Sequence, residues 1–139
     1  MANRRSWNLS HVAIILYLVS LVLPAITVID RPLFGSGSTT RVWFGAQCLA
    51  MGWIVWPGWL ANPLFALALI LRRFEQHGAA AVLLVFAIAS ALLGLFILRD
   101  IDLVELRHVQ IGYVVWLASL VVLLIAAVSP PRFNAMLEP

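Results

Sequence analysis

Four long stretches of the chain contain no Asp, Glu, Lys or Arg, and the charged residues are gathered between and outside them. The first runs from Leu9 to Ile29, the second from Trp43 to Leu71, the third from Gly78 to Leu98 and the fourth from Val109 to Val128. A helix of about 20 apolar residues crosses the hydrocarbon core of a bilayer. Lipid admits only helices or closed barrels, and these continuous runs lack the alternation of barrel strands. The pattern predicts an all-α fold: an integral membrane four-helix bundle, one transmembrane domain over residues 1–139, with spans at approximately 9–29, 49–71, 78–98 and 109–128.

Prolines modify the two early runs. Pro24 is expected to kink the outer end of the first helix. Arg4 and Arg5 before that run also resemble the charged start of a signal peptide. The run is longer than a signal core, however, and Leu23-Pro24-Ala25 makes a poor cleavage site, so a retained helix is expected. The second run has 29 positions. As one straight helix it would measure roughly 43 Å, more than a bilayer core needs. Pro57 and Pro63 lie inside it, so the expectation is a Pro-kinked second helix, or a short interfacial stretch near Trp43 to Met51 leading into the span. Arg72 and Arg73 stop this run. The fourth is closed by Ser129-Pro130-Pro131.

Composition agrees with a lipid environment. Hydrophobic residues make up 63% and charged residues 11% of the 139. Soluble domains average about 45–50% and 25%, and a small soluble domain cannot hide so much apolar surface. The formal net charge is +3 with a pI near 10. All nine basic side chains are Arg, and they stand singly or in pairs at the ends of the apolar runs. That placement fits membrane orientation, so no nucleic-acid partner is expected. The lone Cys48 makes neither an internal disulfide nor a cysteine zinc site.

Four spans put both termini on one side, together with Arg72 to His77. That side carries Arg4, Arg5, Arg72, Arg73 and Arg132. The other carries Arg31, Arg41, Arg99 and Arg107. With acids included, the two sides sum to +3 and 0. The positive-inside rule gives acids little weight; the five arginines against four, with Arg4 and Arg5 directly before the first helix, lead to the expectation that both termini are cytoplasmic. On the outer side, Asp30 to Arg41 has a flexible loop composition. Arg99 to His108, which holds Asp100, Asp102 and Glu105, reads as an extension of the third helix or a surface segment.

Several residues are candidates for function, each with a plainer reading beside it. Asn62, directly before Pro63, either caps the break that proline makes or bonds across to another helix; the functional alternative is a substrate or partner contact at a broken helix. Trp53, Trp56 and Trp59 recur every three residues on one helix face. With Tyr113 and Trp116 they form an interfacial aromatic cluster, which serves as a membrane anchor or as a binding wall. Ala87 with Ala91, and Ser90 with Gly94, have the spacing that lets helices pack closely, within the chain or against a partner. Ser119 is the other intramembrane polar candidate. Gly52-Trp53-Ile54-Val55-Trp56 echoes Gly112-Tyr113-Val114-Val115-Trp116, as a duplicated hairpin or as two aromatic-rich entries from one interface.

The runs contain no Asp, Glu, Lys or Arg of the kind proton-coupled pumps use, and His11 stands at the very start of the first as an interfacial polar residue. The chain has no phosphate-binding glycine loop, His-Glu-x-x-His or Gly-x-Ser-x-Gly. No catalytic residue, cofactor or metal is therefore expected. Trp59-Leu60-Ala61-Asn62-Pro63 together with Gly112-Tyr113-Val114-Val115-Trp116-Leu117-Ala118-Ser119 resembles small bacterial inner-membrane proteins of unassigned function. The resemblance covers 13 residues and implies a four-helix architecture in a bacterial inner membrane, with no activity. The expectation is a non-enzymatic multi-pass protein acting through helix contacts, either as an accessory or assembly subunit with a membrane-protein partner or by self-association. An oligomeric channel or transporter component, with Asn62 and Ser119 facing the pathway, is one alternative. A membrane immunity or phage-defence protein is another.

Overall fold

A computed structural model describes residues 4–30, 39–55, 57–100 and 104–129, with side chains from residue 9 onward except at 30, 51, 53–55, 98–100 and 104–107. The elements in chain order are helix α1 (Arg4–Val22), strand β1 (Pro24–Asp30), strand β2 (Thr39–Phe44), helix α2 (Gly45–Val55), a 3-10 turn (Pro57–Leu60), helix α3 (Ala61–Arg73), helix α4 (His77–Asp100), strand β3 (Val104–Val109) and helix α5 (Ile111–Val128). The chain is mostly helical, but all-α does not hold, because the strands form a three-stranded sheet.

The first apolar run supplies the first correction. Its helix stops at Val22 instead of continuing to Ile29. Pro24 has no N–H to donate and disfavours helical backbone at Leu23. The β-branched series Ile26-Thr27-Val28-Ile29 then favours a strand. Hydrophobicity alone does not distinguish a helix from a strand buried on both faces. Here Ala25, Ile26, Thr27 and Val28 are all buried, so the strand reads as an apolar run without alternation. The segment after the third run behaves similarly: α4 carries on to Asp100, and Val104–Val109 is a strand rather than a surface helix or loop.

Strand order is β2-β1-β3, antiparallel throughout. Val28 lies opposite Arg41 on one side and Leu106 on the other. The sheet fixes the helix directions. α1 runs into β1, β2 runs into α2, and β3 stands between the end of α4 and the start of α5. All four helix ends therefore lie at the sheet, and successive limbs alternate in direction.

At the opposite end α3 turns into α4 through Phe74 to Gln76. The Gln76 N–H donates to Leu71 O at 3.0 Å and the Glu75 N–H to Arg72 O at 3.1 Å. This is a Schellman cap, in which the residue after the cap takes left-handed backbone. Glu75 fills that place at φ 61° instead of the usual glycine.

α1 packs on α5, α5 on α4, and α4 on α3. The shared core holds Ala13, Ala61, Phe65, Ala68, Ala80, Leu84, Ala87, Ala91, Leu120, Leu123 and Ala127. Alanines on facing helices let the backbones approach, and close van der Waals contact takes the place of a large-residue core. The Tyr17 and Phe65 rings stack with centroids 4.8 Å apart, linking α1 to α3.

Two glycines hold the helices against the α1–β1 junction. A Cβ at Gly45 would lie 2.2 Å from Ser20 O, and one at Gly112 would lie 2.6 Å from Pro24 O. Each opens a helix that follows a strand, and each touches backbone, which cannot swing aside. The Gly45 N–H donates to Leu23 O at 3.0 Å, and the Gln110 N–H to Ala25 O at 2.9 Å. Gln47 Oε1 accepts from the Phe44 N–H, the reverse half of a capping box at the start of α2. Gly45→Ala and Gly112→Ala are each expected to destabilise the fold by about 1–3 kcal/mol, as overpacking does. Gly78→Ala, where an added Cβ meets nothing within 4 Å, is expected to be neutral or slightly stabilising. Thermal unfolding of the purified variants in detergent measures all three.

Candidate functional site at the broken helix

The second apolar run is not one continuous α-helix. α2 ends at Val55, a single 3-10 turn spans Pro57–Leu60, and α3 begins at Ala61. The Trp59 indole Nε1–H donates to Leu49 O at 2.7 Å. Ten residues of straight helix rise about 15 Å, beyond a tryptophan's reach, so α2 and α3 are not collinear. The 3-10 turn and α3 together measure about 28 Å, close to the thickness of a hydrocarbon core. α2 is an additional segment at the sheet end.

A broken helix leaves carbonyls without helical donors. Pro63 would normally donate to the carbonyl four residues back, that of Trp59, but it has no N–H. Asn62 fills the gap, with Nδ2 donating to Trp59 O at 3.1 Å. Its Oδ1 accepts from the Tyr17 hydroxyl at 3.0 Å and from the Trp116 indole N–H at 3.1 Å. One side chain thus caps the break and ties it to α1 and α5. The Pro57 carbonyl is met from α4 by the Ser90 hydroxyl at 2.8 Å. From α5, the Tyr113 hydroxyl donates to Ala91 O of α4 at 2.9 Å.

A cavity of about 30 Å³ lies inside this arrangement. Trp59, Asn62, Tyr113 and Trp116 line it, with Ser20, Leu21, Ala25, Gly45, Cys48, Leu49, Gly58 and Gly112. Its size suits a water molecule, and its walls carry few polar groups. Among the described residues no carboxylate or imidazole lines it. The Ser20 hydroxyl donates to its own helix at Tyr17 O, 2.6 Å away. The lining offers hydrogen bonds and apolar contact, with no base to activate a nucleophile. Among the described residues no group of three His, Cys, Asp or Glu is placed to hold a metal.

No family model, curated protein or solved structure matches the chain.

The residues singled out in the sequence fall into three groups. Asn62, Trp59, Tyr113 and Trp116 come together around the cavity, the last two with ring centroids 5.3 Å apart. Ala87, Ala91 and Gly94 are buried, and Ser90 caps the break, so this small-residue face is occupied inside the chain. Ser119 is buried and donates to Trp116 O of its own helix at 2.6 Å, away from the cavity lining. The Trp53 and Trp56 side chains lie outside the described residues. Of the two echoed segments, Gly52 to Val55 closes α2 whereas Gly112 to Trp116 opens α5, so they occupy unlike places. Tyr17, Gly45 and Gly58 were not singled out as site residues. Tyr17 is the sole tyrosine in its apolar run, a signal that was available. The glycines carried none.

Asn62→Leu leaves the Trp59 carbonyl, the Tyr17 hydroxyl and the Trp116 indole without their partner. The expected cost is about 1–3 kcal/mol, with α2 and the 3-10 turn exchanging amide hydrogens faster than the α4–α5 pair. Denaturant unfolding and hydrogen exchange in detergent check the two parts.

Proposed function

We propose that the chain is a four-span integral membrane protein of a bacterial inner membrane, without enzymatic activity, that serves as an accessory or assembly subunit through contacts with a membrane-protein partner or a second copy. The observation that carries the membrane reading is the outward face of α4. Within His77–Ile97 the most apolar window has a mean hydropathy of 2.8, yet only 28% of it is buried. A core helix of a soluble protein is apolar because it is covered. This one exposes Phe86, Leu93 and Phe96 at 62%, 54% and 71%, a surface that water penalises and lipid does not. α5 (Ile111–Val128) is likewise long and apolar enough to cross a membrane. The sheet-imposed alternation adds α1 and the 3-10 turn with α3 as the other two crossings. An open sheet has unpaired edges, so it belongs outside the hydrocarbon.

The accessory reading is supported by what the interior does. The intramembrane polar groups Asn62, Ser90 and Ser119 bond to the chain itself, and Leu84, Leu120 and Leu123 fill the space between helices. A filled interior favours contact over conduction within one chain.

The orientation is tested with single cysteines in a Cys48→Ser background. With cytoplasmic termini, Thr40→Cys on β2 labels with an impermeant thiol reagent in intact cells, and Gln76→Cys labels only after lysis. Both positions are exposed. The reverse pattern overturns the orientation, and a chain absent from the membrane fraction overturns the membrane reading. Mild-detergent affinity purification then tests the role: a stoichiometric membrane-protein partner or a defined homo-oligomer is expected, and a lone monomer contradicts it.

A further inference from the structure

A second, larger cavity of about 230 Å³ lies at the end of the molecule opposite the sheet, where α1 meets the α3–α4 turn. We propose that it is a binding site for the phosphate headgroup of an anionic phospholipid, whose acyl chains lie along the outer faces of α1 and α3. The inference rests on the membrane reading above and goes beyond it by naming the ligand and the residues that hold it.

The wall of the cavity is basic and comes from three helices: His11 of α1, Arg72 and Arg73 of α3, and His77 at the start of α4. Among the described residues, Glu75 is the one acid in the lining. Among the described residues the lining brings two guanidinium groups and one carboxylate together, and a histidine ring carries an N–H donor in either form. Arginine's planar fork suits phosphate oxygens. The Arg72 guanidinium is already positioned: its Nη1 bonds the Ser10 hydroxyl across to α1. It stays charged at neutral pH, and burial strengthens its pull on an anion. α4 starts beside the cavity with no acidic residue in its first turn, and the space around Gly78 is open. A helix N-terminus adds positive potential there.

The floor decides between a lipid and a soluble anion. Ile14 and Leu69 line the cavity below the charges. Beyond them, Ile15 and Leu18 on α1 and Ile70 on α3 are exposed at 58%, 56% and 53%. A free phosphate needs no such surface, whereas a phospholipid presents an anion on an acyl chain. Arg72 and Arg73 also end the second apolar run, at the depth where headgroups sit. Basic pockets between helix ends on the cytoplasmic side recognise anionic headgroups in this way.

The experiment is native mass spectrometry of the detergent-purified protein with dioleoyl phosphatidylglycerol, dioleoyl phosphatidylcholine or inorganic phosphate added separately, using protein recovered from the membrane fraction. That recovery reports on the membrane reading independently of the lipid result. Phosphatidylglycerol is expected to be retained at least about tenfold over phosphatidylcholine, with no retention of phosphate, for a loss of about 1.4 kcal/mol per decade. Arg73→Gln should reduce the preference several-fold, Glu75→Gln should raise it, and Arg41→Gln at the sheet end should leave it unchanged. Arg73 and Glu75 are exposed, so neither variant threatens the fold. Equal retention of the two lipids, retention of phosphate alone, or insensitivity to both cavity variants would overturn the proposal.

Discussion

The Trp59 carbonyl is the point on which the architecture turns. Pro57 opens the 3-10 turn that breaks the second apolar run and Pro63 removes a donor from the first turn of α3, and a break inside an apolar environment exposes backbone groups that water cannot reach. Such groups cost on the order of 1–3 kcal/mol each when left unpaired. Asn62 meets that carbonyl from one side of its amide, and the other side collects donors from α1 and α5. The local repair of a helix defect thereby becomes a tertiary link. Ser90 repeats the device at Pro57 from α4. Between them, the two repairs connect the 3-10 turn and the start of α3 to every other long helix.

The break is held at the sheet end for a second reason. The α1–β1 junction at Ser20 to Pro24 is gripped by the N-terminal turns of α2 and α5, and only glycine at positions 45 and 112 allows the approach. Gln110 adds a side-chain bond to Thr27 Oγ1 at 2.9 Å. Junction, sheet and hydrogen-bond hub meet at one end of the molecule. The other end closes with a Schellman turn whose left-handed position is a glutamate. A glycine would be less strained there by roughly 1–2 kcal/mol, so the chain keeps a carboxylate beside Arg72 and Arg73 at some cost in stability.

Much of the helical content was legible from the lengths of the apolar runs, because α4 and α5 fill the third and fourth almost end to end. The sheet was not legible. Its central strand is buried on both faces, so Ala25 to Val28 continue the hydrophobic signal of α1 without a change of period, and only Pro24 and the β-branched series mark the switch. β3 was hidden by its charges, since Glu105, Arg107 and His108 read as solvated loop until pairing with β1 is known. At the candidate site, Asn62 beside Pro63 was visible because its chemistry is local: the proline removes a donor four residues from a known acceptor. Which residues would share the amide oxygen was not visible, because Tyr17 and Trp116 lie 45 and 54 positions away. The small-residue face around Ser90 showed its spacing but not its neighbour within the chain, which is the break itself.

The most direct test of this account is a double-mutant cycle between Asn62→Leu and Trp116→Phe, read by denaturant unfolding in a single detergent. Trp116→Phe keeps an aromatic ring and removes the indole donor. If the Asn62 amide stitches the broken span to α5, the two changes are non-additive, with a coupling of about 0.5–1.5 kcal/mol. Additive losses, with a coupling indistinguishable from zero, would show that the break is held in place by packing alone.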